Sequence, residues 1–179
     1  YGVDIDPGAV EIAKLRLWLS LVVDEDDVKQ IKPLPNLDYK IVAGNSLLGV
    51  EKNLFNQDLF KRLEELKPKY FDATDRKQKE KFKHEIDDLI HKLTNGKEAF
   101  DFEIYFSEVM DKKRRGGFDV VIANPPYISA VEFAKRYTES YRKKLNERFK
   151  TAKGTYDIYV LFIEEGIRLL AGRGVLTFI

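Results

Sequence analysis

The chain has 179 residues, 44% of them hydrophobic and 12% aromatic, which is ample for one domain of ordinary size with a buried core. Basic and acidic side chains nearly balance at 31 against 30, so the overall charge does not mark a nucleic-acid binder. The absence of Cys excludes a disulfide framework, thiolate zinc sites and the thiol nucleophile that cytosine C5 chemistry requires.

No apolar run approaches the roughly 18 residues of a membrane span. The chain starts at Tyr1 with neither an initiator Met nor a signal-peptide pattern. It reads as an excised piece of a cytoplasmic protein without membrane contact.

Tyr1 to Asp6 is a short apolar run ending in acids, the pattern of a buried parallel strand whose carboxyl end opens onto a site. Asp6-Pro7 then predicts a helix entry, with Asp as N-cap and Pro pre-set for the first helical position. From Ala9 to Val23, Val10, Ala13, Leu17 and Leu21 share one face while Ile12, Leu15 and Leu19 widen the stripe, so this helix is expected to be covered on both sides. Asp24 to Asp27 and Pro33 to Asn36 mark a loop, and Tyr39 to Ala43 reads as a second strand closed by Gly44-Asn45.

Residues 51–97 carry Leu63, Leu66, Ile86, Leu89 and Leu93 among dense Lys and Glu, interrupted by Pro68 and Asn95-Gly96. This predicts an inserted helical hairpin with exposed, charge-paired amphipathic helices. His84 and His91 lie two turns apart, but without Cys no metal site is expected.

Beyond the polar run Asp111 to Gly117, Phe118 to Ala123 is another continuously apolar strand, and it stops at Asn124-Pro125-Pro126-Tyr127. Two prolines end a ladder abruptly, which predicts Asn124 and Tyr127 at the carboxyl edge of a parallel sheet, where open α/β folds put their ligands. A basic helical stretch follows to Lys150, then an amphipathic helix over Tyr156 to Leu170 and a last strand over Val175 to Ile179. Strand and helix alternate throughout, which argues for a three-layer α/β sheet.

An amide, two rigid imides and an aromatic at a strand end form a clamp for a planar group carrying an NH2. The Asn124 side-chain oxygen and the Pro125 carbonyl both accept from such an amine, and Tyr127 offers a stacking face. Charge is also sorted along the chain, with eight basic and two acidic residues between 135 and 153. A segment of that sign suits phosphate contact, and a Lys/Arg-rich helix suits a solvated face as well.

Phe118-Asp-Val-Val-Ile-Ala-Asn-Pro-Pro-Tyr-Ile128 resembles the catalytic motif of the amino-methyltransferases that use S-adenosylmethionine. More narrowly, the chain is similar to the Eco57I-like adenine-N6 DNA methyltransferase part of restriction-modification proteins. Gly2 to Pro7, Leu15 to Leu19, Gly44 to Leu47, Phe106 to Val109, Gly116 to Asp119 and Tyr156 to Glu164 all take part in the likeness. The long segment between Asn45 and Phe118 makes the combination more selective than the tetrapeptide alone.

The resemblance implies a Rossmann-like α/β/α fold over residues 1–179 with the insert at 51–97. Residue by residue, it implies that Asp4 accepts from the cofactor's ribose hydroxyls, Ile5 flanks its adenine, and Asn45 with Ser46 faces that adenine. Asn124, Pro125, Pro126 and Tyr127 would hold a target adenine flipped out of double-stranded DNA. Lys135, Arg136, Arg142, Lys143, Lys144 and Arg148 would track the DNA backbone. No metal is required.

The family's glycine-rich cofactor loop, last sheet strands and target-recognition domain are expected to lie outside this piece. The sheet is then expected to respond in one of two ways. Either Tyr1 to Ile5 pairs directly with Phe118 to Ala123, or another chain or segment fills the gap, with self-association through exposed edges. The rival readings are methylation of a glutamine side-chain amide, disfavoured by the insert and the basic run, and a non-catalytic interaction domain, disfavoured by the intact Asn124 and Tyr127.

Overall fold

The computed structural model describes residues 1–23, 37–50, 56–94, 100–110 and 116–179. The predicted loop signals at Asp24 to Asp27 and Pro33 to Asn36, the start of the hairpin region at 51–55, Asn95-Gly96 and most of the polar run after Met110 lie outside those residues. The chain divides into two units, Tyr1–Glu108 and Val109–Ile179.

In the first unit, β1 (Gly2–Asp4) pairs in parallel with β2 (Ile41–Ala43), Asp4 opposite Ala43. Between them in the chain comes α1 (Pro7–Val22), which starts as its sequence dictates. Asp6 is the N-cap, its carboxylate accepts from the Gly8 amide at 2.7 Å, and Pro7 occupies the first turn, where a missing N–H costs nothing. The expectation that α1 is covered on both sides does not hold. Val10 is its one buried residue, and Ile12, Leu15, Leu21 and Val23 are exposed, because the described contacts of α1 run to β1 and β2 on one flank.

The helical pair departs most from expectation. α2 (Gln57–Asp72) and α3 (Arg76–Leu93) pack on each other, and instead of standing exposed they supply the unit's main core. Phe60, Leu63, Leu66 and Tyr70 from α2 meet Ile86, Leu89, Ile90 and Leu93 from α3, together with Tyr39 and Ile104. Their charged residues occupy the opposite faces, so the amphipathic reading stands while the burial was underestimated.

Pro68 does not interrupt α2 but lies inside it. An interior proline costs about 3 kcal/mol. Buried Leu63 and Leu66 before it and Tyr70 after it offset that cost, at about 1.5–3 kcal/mol for each fully buried large apolar side chain.

Two short helices follow, α4 (Phe102–Tyr105) and α5 (Ser107–Met110). Asp101 caps α4 through bonds to the Glu103 and Ile104 amides, and its other oxygen accepts from the Val50 amide at 2.9 Å. Lys67 is wholly buried, donates to the Tyr105 carbonyl and faces Glu108 at 3.6 Å. Burial lowers its pKa to about 8, against the opposing pull of the Glu108 carboxylate.

In the second unit, β3 (Phe118–Ala123) pairs in parallel with β4 (Leu170–Phe178). β4 therefore begins earlier than the expected Val175, directly after α8 (Tyr159–Leu169). Gly117, at φ +145°, makes the close start possible, since a Cβ there would stand 2.6 Å from the Ala171 amide nitrogen. The register shifts between Phe118 and Val120.

The basic stretch forms α6 (Ala130–Arg136) and α7 (Glu139–Arg148), capped by Ser129 and Thr138. Among the described residues β1 pairs with β2 and β3 with β4, each pair within its own unit. No described helix is long and apolar enough to cross a membrane.

Gly44, just after β2, tests how tightly Phe100 and the segment after it are seated. A Cβ there would fall 2.7 Å from the Phe100 Cγ and closer still to its Cβ. Phe100 is buried and stacks on Tyr105, so it has no room to give. Gly44→Ala is expected to destabilise the chain by about 1–3 kcal/mol. Denaturant titration followed by circular dichroism measures this, and an unchanged midpoint would contradict the close seating of Phe100.

Candidate active site

Parallel pairing brings the ends of β1 and β2 level, so that the Asp4 carbonyl accepts from the Gly44 amide at 2.8 Å. Asp4, Ile5, Asn45 and Ser46 thus gather at one carboxyl edge. The Asp4 carboxylate accepts from the Asp6 amide at 2.8 Å, which fixes its direction while leaving the residue exposed. Ile5 is 71% exposed beside it. The Asn45 side-chain oxygen accepts from the Leu47 amide at 3.0 Å, an Asx-type turn that holds the residue in place.

In the second unit the ladder ends at Ala123, whose carbonyl accepts from the Ile179 amide at 3.0 Å. Neither Pro125 nor Pro126 has an N–H to continue it. Asn124 therefore emerges exposed at the carboxyl edge, Pro125 is buried beneath it, and Pro126 and Tyr127 are exposed.

The Tyr127 hydroxyl donates to the Ile179 carbonyl at 3.1 Å, so one end of the ring is tethered while 84% of the residue faces solvent. Beyond it the chain is pinned again. The Ile128 carbonyl accepts from the Ile158 amide at 3.4 Å and the Ala130 amide donates to the Asp157 carboxylate at 2.7 Å. An exposed amide and an exposed aromatic on a segment fixed at both ends are what binding a planar amine needs.

The six basic candidates divide by environment. Lys135, Lys143 and Lys144 are exposed, and Arg136 is exposed but paired with Glu132 one turn back on α6. Arg142 is half-buried. Arg148 donates to the buried Glu165 at 3.2 Å, so its guanidinium serves the interior of the unit.

All 179 residues match the Eco57I restriction-modification methylase family. The chain belongs to that family. It is 28% identical over its whole length to a Methanocaldococcus jannaschii protein named as a type II restriction enzyme and methyltransferase, of which the match covers 21%. It is also 28% identical to the type II restriction enzyme and methyltransferase RM.Eco57I of Escherichia coli, again over its whole length and 14% of that protein. A 66-residue stretch is 36% identical to the type II methyltransferase M.TthHB8I of Thermus thermophilus, covering 35% of this chain and 15% of that one. The chain thus spans about a fifth or less of each relative's length. No solved structure matches it.

In this Eco57I-family chain, sequence reasoning gave the acids of α8 no structural role. Glu165 is buried and binds both Arg148 and Arg168, the latter at 3.1 Å. Glu164 accepts from the Lys150 amide at 3.0 Å, the Thr151 amide at 2.9 Å and the Thr151 hydroxyl at 2.7 Å. Together they lash the end of α7 and residues 149–151 to α8. The available signal was two adjacent acids within an otherwise apolar helix, since buried carboxylates demand partners.

Burial works to raise the Glu164 pKa, but the Thr151 hydroxyl, the Lys150 and Thr151 amides and Arg168 outweigh it and hold the carboxyl below its usual range. A lowered folded pKa gives stability that is complete above the unfolded value, about 4.3, and is lost as pH falls through the folded value. Glu164→Gln is expected to lower stability by about 1 kcal/mol at neutral pH. The deficit should shrink as pH falls from 5 toward 3. Thermal melts of both proteins across that range provide the check, and a deficit independent of pH would contradict the role given to the charged form.

Proposed function

We propose that this chain supplies catalytic residues for methylation of the N6 amine of adenine in DNA, with S-adenosylmethionine as cofactor, within a restriction-modification system. The observation that carries this reading is the Asn124-Pro-Pro-Tyr127 segment, exposed at the carboxyl end of a parallel strand and anchored on both sides. Family membership supports it. The fold reading that goes with it is the Rossmann-like α/β/α one, with residues 51–97 as a helical insert and the whole chain as part of a methyltransferase domain.

The residues present fit the cofactor's adenosine end. Asp4 is an exposed carboxylate at a strand end, oriented by the Asp6 amide, and suits a vicinal diol, while Ile5 offers an exposed apolar face. Asn45 and Ser46 stand on the adjoining strand end and suit the polar edge of an adenine. When bound, the cofactor supplies an electrophilic methyl group on a sulfonium.

Asn124 and the Pro125 carbonyl would accept the two hydrogens of the target amine, which aims its lone pair and favours the positive charge that grows on the nitrogen. Pro126 keeps the segment rigid. Tyr127 would stack on the flipped base. Lys135, Lys143 and Lys144, exposed on α6 and α7, suit contact with the phosphates of double-stranded DNA.

Asn124→Ala in the full-length polypeptide is expected to lower methyl transfer to DNA by 100-fold or more while cofactor affinity changes by less than about threefold. Incorporation of radiolabelled methyl groups and calorimetric titration with S-adenosylmethionine measure the two quantities. Equal loss of both would refute the role of Asn124. Methyl incorporation into protein amides in place of DNA would favour the glutamine reading.

A further inference from the structure

The second unit holds a cleft of about 520 Å³ between α6, α7 and residues 154–156, and two of the basic candidates, Lys135 and Arg142, line it. Ala130, Val131 and Phe133 line its apolar side, and Arg142, Asn146 and Tyr156 line it as well. Lys135 contributes a second cation, and no carboxylate lines it among the described residues. The size lies within the roughly 300–1,000 Å³ of small-ligand sites.

Three features give the cleft a chemistry. The Arg142 Nε is buried and, among the described residues, has no hydrogen-bond partner. That burial fixes the guanidinium stem, and a permanent cation lining a cleft that holds no carboxylate among the described residues suits an anionic ligand. The Tyr156 hydroxyl donates to the Asn146 side-chain oxygen at 3.1 Å, which holds the ring against the cleft. Behind them Phe133 lies 4.8 Å from Tyr137 and 6.1 Å from Tyr156, and Tyr137 stacks on Tyr141 at 4.8 Å, so the aromatic floor is braced.

The cleft is also tied to the amine clamp. Residues 157 and 158, next to Tyr156, are the ones that hold Ile128 and Ala130 through hydrogen bonds. A ligand seated on Tyr156 therefore bears on the segment that leaves Tyr127.

We propose that this cleft takes one nucleotide of the DNA strand flanking the methyl-accepting adenine. Its phosphate meets Arg142 and Lys135, and its base or sugar lies on the apolar side facing Tyr156. This rests on the DNA reading and adds to it a site for a neighbouring nucleotide. Two cations, an aromatic face and a cleft of about 520 Å³ are together what a backbone-plus-base contact requires.

The test is fluorescence anisotropy of a labelled 20-base-pair duplex with the full-length polypeptide as wild type, Arg142→Gln, Lys143→Gln and Ala134→Trp, each first shown by circular dichroism to be folded. Ala134 lines the cleft, so the Trp fills it without altering charge. Arg142→Gln and Ala134→Trp should each weaken binding about tenfold. Lys143→Gln, an exposed cation away from the cleft, should weaken it about twofold. Equal effects of Arg142→Gln and Lys143→Gln, or no effect of Ala134→Trp, would overturn the cleft proposal while leaving DNA binding in place. Failure of the wild type to bind the duplex would overturn the DNA reading as well.

Discussion

The second unit depends on where its parallel ladder stops. β3 and β4 exchange backbone bonds as far as Ala123 and Ile179, and then two residues without N–H groups follow. A strand cannot continue through Pro125 and Pro126, so the chain must leave the sheet at Asn124. The Tyr127 hydroxyl donates to the Ile179 carbonyl, which holds the departing chain beside β4. The placement of Asn124 to Tyr127 is therefore a consequence of ladder termination. Its exposure follows from the backbone, and its rigidity follows from the anchors at Ile128 and Ala130.

The first unit solves a different problem. Three-residue strands bury little, so β1 and β2 need support from elsewhere. The α2 and α3 pair provides a core, and the 100–110 segment joins that core to the strand end through Phe100 at Gly44 and Lys67 at Tyr105 and Glu108. A buried lysine is costly unless it is bonded. Here one carbonyl and one carboxylate meet it, and the same contacts fix α4 and α5 against α2. The residues around Asn45 thus owe their placement to a helical region that carries none of the proposed chemistry.

Local signals were legible in the sequence. Asp6-Pro7 gave the start of α1, the apolar run Phe118 to Ala123 gave β3, and the double proline located the strand end. Pro68 was misread because propensity is a local quantity, and the burial of Leu66 and Tyr70 against α3 that overrides it is not. The hairpin was read as exposed for a related reason, since dense Lys and Glu describe its outer faces and say nothing of what meets the inner ones. Strand pairing was beyond reach, because it depends on which edges meet in space. The apolar patterns of β1 and β3 do not single out β2 and β4 as their partners.

The basic segment shows why a charge count cannot assign contacts. Its residues share a sign but not an environment. Arg148 is committed to the buried Glu165, Arg136 to Glu132 on its own helix, and Arg142 and Lys135 line a cleft, while Lys143 stays in solvent. An arginine that neutralises an interior carboxylate is unavailable to a phosphate, because releasing it would leave Glu165 with one partner fewer in a site it cannot leave. Glu165 of α8 thus withdraws Arg148 of α7 from the surface, and any surface for an anionic partner is set as much by that buried acid as by the lysines.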